Sequence, residues 1–149
     1  MQKVIIVRYC EIHLKGKNRS YFEKVFLENL EKALSGIRHE IHRPSGRYLV
    51  DGFDEARADE IAARLAKVFG THSVSIAQQI PADMEEIYRS VVRIAPESGT
   101  FKVQTNRADK HFPFDSMQIN AEIGGRLLAE RPQLRVDVRE PQKTLYIDI

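Results

Sequence analysis

The order of hydrophobic patterns in the first half of the chain limits its fold more than any other feature. Apolar runs typical of strands alternate with stripes at three- and four-residue spacing, which are typical of helices. The predicted elements are, in order, a strand from Val4 to about Cys10, a helix from Ser20 to Gly36, strands over Ile37–Arg43 and Tyr48–Val50, a helix from Asp54 to Gly70 and a strand over Ser73–Ala77. This β-α-β-β-α-β order predicts a ferredoxin-like unit over residues 1–80, with both helices on one face of an antiparallel sheet.

Local signals set the expected ends of these elements. Ser20 and Glu23 have the spacing of a capping box, so the first helix is predicted to begin there. Pro44-Ser45-Gly46 indicates a hairpin turn between the second and third strands. Asp54 is predicted to cap the second helix. The apolar face of that helix is expected to comprise Ala58, Ile61, Ala62, Leu65, Val68 and Phe69.

A second unit is predicted over residues 81–149, after the break at Pro81-Ala82-Asp83. Asp83 is expected to cap a helix, and Thr100–Thr105 alternates as a strand. Asp115 or Ser116 is predicted to cap another helix, with a buried face of Met117, Ala121, Gly124 and Leu128. The last predicted strands are Leu134–Val138 and Thr144–Ile149. The chain is therefore α+β, and because it stops within a strand we expect the second unit to be incomplete.

Composition excludes several classes of protein. No apolar run approaches the roughly 18 residues of a membrane span, and 149 residues suit one ordinary domain or two small ones. Cys10 is the sole cysteine, which excludes an internal disulfide and favours a cytoplasmic protein. His39 and His42 are both predicted on one strand at an odd spacing, hence on opposite faces, so no metal site is expected. The sequence also contains no motif that predicts a catalytic residue.

Positive charge is concentrated between the first strand and the first helix. Residues 1–81 hold thirteen Lys and Arg against ten Asp and Glu, whereas residues 82–149 hold ten against eleven. The candidate binding residues here are Arg8, Lys15, Lys17, Asn18 and Arg19. The N-terminus of a helix favours an anion, because its backbone N–H groups and its dipole point toward the ligand. The segment therefore predicts phosphate binding, and the alternative is a merely solvated loop.

A second candidate segment, Arg107–Phe114, also links a strand to a capped helix. It combines cations with aromatic rings, as unpaired nucleic acid requires: charge for the phosphates and a ring on which a base can stack. The candidate RNA-binding residues are Arg107, Lys110, His111 and Phe112. The alternative is that Phe112 and Phe114 fill the core, which would still leave the cations free to bind.

These two segments resemble those of a known family. Residues 8–19, Arg-Tyr-Cys-Glu-Ile-His-Leu-Lys-Gly-Lys-Asn-Arg, resemble the opening of the bacterial tRNA 4-thiouridine synthetases, or tRNA sulfurtransferases. Residues 101–124, with Arg107-x-x-Lys110-x-Phe112-Pro113, resemble the THUMP-domain signature of that family. The resemblance implies a ferredoxin-like domain and a THUMP domain that bind tRNA. It further implies RNA contacts from Lys15, Lys17, Arg19, Arg107 and Lys110.

The resemblance also implies chemistry outside this sequence. In that family a C-terminal domain uses ATP to activate a uridine, and persulfide sulfur from a cysteine desulfurase replaces its oxygen. The same proteins can serve thiamine thiazole synthesis, and the resemblance is compatible with a homodimer of the full-length protein. The S-G-G-x-D-S loop of the ATP site does not occur in these 149 residues. We therefore expect no cofactor in this part of the protein.

One rival function stays open at this point. A β-α-β-β-α-β unit with cations and Asn18 in its first loop could be an acylphosphatase-like hydrolase, in which a loop holds a phosphate and an Asn positions water. The loop of that family is glycine-rich and carries a single Arg, whereas this loop is rich in lysine. The residues therefore favour RNA binding.

Overall fold

A computed structural model describes residues 2–10, 18–43 and 47–149, which form two compact units that divide between Gln79 and Ile80. The elements of the first unit are β1 (Gln2–Tyr9), α1 (Arg19–Ala33), β2 (Glu40–His42), β3 (Tyr48–Asp51), a 3-10 turn (Glu55–Arg57), α2 (Ala58–Ala66) and β4 (Thr71–Gln79). The strands form an antiparallel sheet in the order β2-β3-β1-β4. This arrangement confirms the predicted ferredoxin-like fold.

The core of the first unit lies between the helices and one face of the sheet. Alternate residues of β1, such as Ile5 and Val7, are fully buried there against Leu30 of α1 and Ile61 of α2. Burying such side chains is the main favourable term in forming the unit. Asp54 caps the 3-10 turn that leads into α2, because its side chain accepts a hydrogen bond from the backbone N–H of Ala56 at 3.1 Å.

Three local predictions for this unit are wrong. Helix α1 begins at Arg19, and Glu23 pairs with the Arg19 side chain instead of completing a capping box with Ser20. The predicted strand Ile37–Arg43 is confined to Glu40–His42, because Ile37 turns into the core after the left-handed Gly36 (φ +82°). Phe69 follows the end of α2 and is 85% exposed. The predicted turn at residues 44–46 lies outside the described residues.

The second unit is a parallel sheet with helices packed on one face. Its elements are α3 (Met84–Ile94), β5 (Gly99–Asn106), α4 (Ser116–Glu130), β6 (Leu134–Val136) and β7 (Lys143–Asp148). Strands β6 and β7 both pair with β5 in parallel. Phe101 and Leu145 of the sheet are buried against Ile123 of α4 and Ile87 of α3. None of the helices in the described ranges is long and apolar enough to cross a membrane.

The buried face of α4 agrees with the prediction at Gly124 and Leu128 but not at Met117 and Ala121, which are exposed. Met117 is 81% exposed, and the core is filled by Ile119, Ile123 and Leu127 together with Gly124. Ile119, Ile123 and Leu127 also recur at helical spacing, and burying their large aliphatic side chains removes more apolar area from water. The predicted cap at Asp115 is confirmed. Its side chain accepts from the N–H of Gln118 at 2.8 Å, and Gln118 in turn accepts from the N–H of Asp115 at 2.8 Å.

Candidate nucleic-acid interface

The loop between β5 and α4 carries the second basic segment and is held in place by its own hydrogen bonds. The backbone N–H groups of Ala108 and Asp109 donate to the carbonyl of Ile149 at 2.6 and 3.0 Å. Arg107 Nη1 donates to the carbonyl of Phe112 at 3.1 Å, closing the loop on itself. The N–H of His111 donates to Asp109 Oδ1 at 2.9 Å. A loop fixed in this way loses less conformational entropy when it binds a ligand.

The two aromatic rings of this loop lie in different environments. Phe112 is only 7% exposed and packs in the core of the second unit. The prediction that Phe112 contacts RNA is therefore corrected, since its ring has no free face on which a base could stack. Phe114 is 40% exposed, with its ring centroid 6.0 Å from that of Phe112. Phe112 thus anchors the loop, whereas Phe114 presents a ring at the surface.

The charged groups of the loop also divide by role. Lys110 and His111 are exposed, whereas Arg107 is partly buried and braces the backbone. The N-terminus of α4 is not an anion site of the kind expected from helix geometry, because the Asp115 carboxylate already accepts from that end of the helix. The exposed positive charge of the loop is therefore carried mainly by Lys110.

An open groove of about 510 Å³ lies beside this loop in the second unit. Its lining residues are Met84, Phe114, Gln118, Ala121 and Glu122. The groove is open to solvent rather than enclosed. The exposed ring offers a stacking surface, and the amide and carboxylate groups can hydrogen bond to the edge of a base.

In the first unit, the structure describes both flanks of the first basic segment. Lys15 and Lys17 lie outside the described residues. Arg8 stands on β1 opposite Ser73 of β4. Asn18 precedes α1, and within the described part of the chain its side chain accepts no capping hydrogen bond from the helix. The predicted residues Arg8, Asn18 and Arg19 are thus all placed at one end of the sheet.

Arg19 shares a carboxylate with a cation that the sequence did not single out. Its Nε donates to Glu23 Oε1 at 3.0 Å, and Arg43 pairs with the same oxygen. The hydrogen bond to Glu23 raises the pKa of Arg19. Partial burial alone would raise the pKa of Glu23, but the bonds from both arginines outweigh it and the pKa is lowered. Two cations on one carboxylate leave a net positive charge at this end of the sheet.

Arg43 also packs beside an aromatic ring, with its guanidinium carbon 5.7 Å from the centroid of Tyr48. A cation over a ring is attracted by the negative face of the π system. Residue 43 was predicted only as the end of a strand. Its proximity to Glu23 follows from the packing of the β2–β3 hairpin on α1, which no local pattern reveals.

The histidines do not form a metal pair with each other. The prediction that they share a strand is wrong, because His39 precedes β2 and its ring nitrogens lie 2.6 Å from the carbonyl of Ile37 and 2.7 Å from Glu31. His42 lies 2.9 Å from Asp51 and 3.7 Å from Glu40 on the surface of the hairpin. His42 and Asp51 are within hydrogen-bonding distance of each other, whereas Glu40 lies at an ion-pair distance from His42.

Comparison with known proteins identifies both domains. Residues 4–75 match the ThiI ferredoxin-like domain family, and residues 81–149 match the THUMP domain family. Over its whole length the chain is 38% identical to the probable tRNA sulfurtransferase of Clostridium acetobutylicum, and it spans 39% of that protein. The chain thus spans about two fifths of the curated relative that it matches.

Two solved structures share the fold over nearly the whole chain. One is a 4-thiouridine synthetase in complex with RNA and with bound ATP, with a TM-score of 0.78 and 34% identity over 100% of this chain and 39% of that one. The other is PH1313 from Pyrococcus horikoshii Ot3, with a TM-score of 0.83 and 32% identity over 99% of this chain and 50% of that one.

These relatives give no support to the acylphosphatase alternative. The two domain families follow one another in the order that the sequence motifs indicated. This chain therefore belongs to the ThiI ferredoxin-like domain family over residues 4–75 and to the THUMP domain family over residues 81–149, and over its whole length it is similar to tRNA sulfurtransferases.

Proposed function

We propose that this chain is the tRNA-binding part of a tRNA sulfurtransferase. The observation that carries the proposal is the braced loop of the THUMP domain, which exposes Lys110, His111 and the ring of Phe114. A cation beside an exposed ring suits a nucleotide whose base is unpaired. The solved 4-thiouridine synthetase in complex with RNA, to which this chain is similar, supports the same function.

Two kinds of contact would contribute to tRNA binding. Phosphate contacts from the cations would fix the position of the RNA and supply most of the affinity, independently of sequence. Stacking on Phe114 would favour the unpaired end of tRNA over its paired stem. We extend the phosphate contacts to the first unit, through Arg8, Asn18 and Arg19 and through Lys15 and Lys17.

The chemical step would lie in another part of the full-length protein. We propose that a further domain binds ATP and makes 4-thiouridine, with sulfur delivered as a persulfide by a cysteine desulfurase in the cytoplasm. The same sulfur could serve thiazole synthesis for thiamine, and the full-length protein could act as a homodimer. The proposal is supported by the similarity of this chain to about two fifths of a longer tRNA sulfurtransferase and of a 4-thiouridine synthetase with bound ATP.

We propose a domain boundary between residues 80 and 81. Two separate buried clusters support it, one around Ile61 and the other around Ile123. Pro81 also supports it, because a proline cannot donate a hydrogen bond to extend β4. Asp83 then starts the THUMP domain by accepting from the N–H of Glu86 at 3.2 Å.

The test is a tRNA gel shift over a range of salt with Lys110→Ala. Lys110 is exposed, so its loss should leave the melting temperature unchanged and reduce the slope of log K against log salt by about one. Lys143→Ala is the matched control. Lys143 is also exposed, but it pairs with Phe101, far along β5 from the loop. Equal slopes for the Lys110→Ala protein and the wild type would rule out this loop as part of the RNA site.

A further inference from the structure

Phe69 lies at the surface of the first unit, although the apolar stripe of α2 predicted a core position for it. It belongs to the turn between α2 and β4 and is 85% exposed. The next residue, Gly70, has a left-handed backbone (φ +97°), and a Cβ added there would lie 3.0 Å from Phe22 Cζ. The backbone of the turn therefore already packs on the aromatic rings of α1, and the ring of Phe69 is left outside the core.

This exposed ring borders an open groove between the turn and α1, which we call the α1 groove. Its volume is about 420 Å³. Its floor is formed by Phe22, Val25 and Phe26, and the rings of the two phenylalanines are stacked with their centroids 5.8 Å apart. Tyr21 also lines the groove and is 73% exposed. A single exposed apolar side chain is common, whereas two exposed rings on one apolar groove are typical of a binding surface.

Two side-chain amides, those of Asn18 and Asn29, supply hydrogen-bonding groups to the α1 groove. An amide both donates and accepts, as pairing with the edge of a nucleobase requires. The side chain of Asn18 is not used to cap α1. Of the described residues that line the groove, none is acidic. A polyanion can therefore enter the groove without meeting a carboxylate there.

The position of Asn18 favours RNA over a protein as the occupant of the α1 groove. Asn18 follows Lys15-Gly16-Lys17 and precedes Arg19 in the sequence, so the groove is continuous with the first basic segment. Arg19 and Arg43 share the carboxylate of Glu23, which leaves a net positive charge at the first turn of α1. Proteins hold unpaired nucleotides by this combination, because cations attract the phosphates while aromatic rings stack on the bases.

We propose that the α1 groove binds unpaired bases of tRNA, which stack on the exposed rings of Tyr21 and Phe69. The amides of Asn18 and Asn29 hydrogen bond to the edges of these bases. The assignment rests on the proposed tRNA-binding function and adds to it a base-binding site on the first domain. Every base has a π face, so the site selects unpaired over paired nucleotides rather than a particular sequence.

The first test replaces an exposed ring by an aliphatic side chain and by another ring. Phe69→Leu keeps the apolar bulk but removes the π face, so it should weaken binding of tRNA and of single-stranded octauridylate about fivefold or more in gel shifts. Phe69→Tyr keeps a ring and should bind like the wild type. Neither substitution removes a charge, so the slope of log K against log salt should not change. Because the ring is exposed, the melting temperature should stay the same in both variants.

Leu27→Ala is the matched control on the same helix. Leu27 is 38% exposed and is not among the residues that line the α1 groove. This variant should bind both RNAs like the wild type. A loss of RNA binding that Phe69→Tyr shares with Phe69→Leu, or that is accompanied by a fall in melting temperature, would overturn the stacking assignment.

A photocrosslink separates this assignment from the function on which it rests. Octauridylate that contains iodouridine should crosslink under ultraviolet light to a peptide with Tyr21 or Phe69, and the double variant Tyr21→Leu/Phe69→Leu should lose the crosslink. If the wild type binds tRNA without this crosslink and the double variant binds tRNA equally well, the proposed function stands and the base site is wrong. If the wild type binds no tRNA but gives the crosslink, the base site stands and the proposed function fails.

The same double variant tests the other occupant of the α1 groove, a second copy of this chain. Sedimentation of the chain without RNA should be the same for the wild type and the double variant. A change in sedimentation with unchanged RNA binding would show that the groove is a contact between two copies, and it would overturn the base site.

Discussion

Phe112 and Phe114 are two residues apart, yet they lie in different environments, and we expect substitution to separate their effects. Phe112 is 7% exposed within the core, and truncating a buried Phe to Ala costs about 3–5 kcal/mol. In a domain of 60–100 residues each kcal/mol lowers the melting temperature by about 4–8 °C. Phe112→Ala should therefore lower the melting temperature by at least ~12 °C. Phe112→Leu should cost less and keep the fold.

Phe114→Ala should behave in the opposite way. The ring is 40% exposed, so its removal should change the melting temperature by only a few degrees. Stacking of a base on an aromatic ring contributes about 1–3 kcal/mol, which corresponds to a loss of about 5- to 150-fold in affinity. Circular dichroism melts and gel shifts with the same tRNA preparation give both quantities. If the folded Phe112→Leu protein loses tRNA binding while Phe114→Ala retains it, the two assignments are reversed and the reasoning fails.

Two further predictions concern the first domain. The pKa of Glu23 is lower in the folded protein than in the unfolded chain, so the unfolded chain binds more protons. The stability that this carboxylate contributes is therefore present above its ordinary pKa. That stability is lost as the pH falls through the lowered folded-state value. Glu23→Gln should therefore make the free energy of unfolding depend less on pH between 7 and 3, as measured by urea denaturation. An unchanged pH dependence would contradict the ion pairs. Gly70→Ala should cost about 1–3 kcal/mol, because φ is +97° and the new Cβ would lie 3.0 Å from Phe22 Cζ. Gly36→Ala, at φ +82° with no atom within 4 Å of the new Cβ, should cost less in the same urea experiment, and equal losses would show that contact with Phe22 is not the cause.

Local chemistry made much of the fold predictable. Asp83 and Asp115 cap helices where the sequence indicated, because a cap needs only a short polar side chain at the right spacing. The buried strand β1 also follows from its β-branched run. The face of α4 was only partly predicted, because helical spacing alone does not show whether Met117 or Ile119 faces the sheet.

The site was less predictable than the fold because its contacts join distant elements. The basic loops are visible in sequence, and so is the aromatic character of residues 112 and 114. Which of the two rings is buried depends on the core that receives it. Arg43 could not be identified from spacing, because its contact with Glu23 depends on the packing of the β2–β3 strand pair on α1.

The most direct test of the central claim is the salt dependence of tRNA binding by the 149-residue chain itself. If cations on both domains neutralise phosphates, log K should fall linearly with log salt with a slope steeper than about −2, and with similar slopes for different tRNAs. A chain that stays folded but binds no tRNA at low salt, or binds it with an affinity independent of salt, would contradict the account.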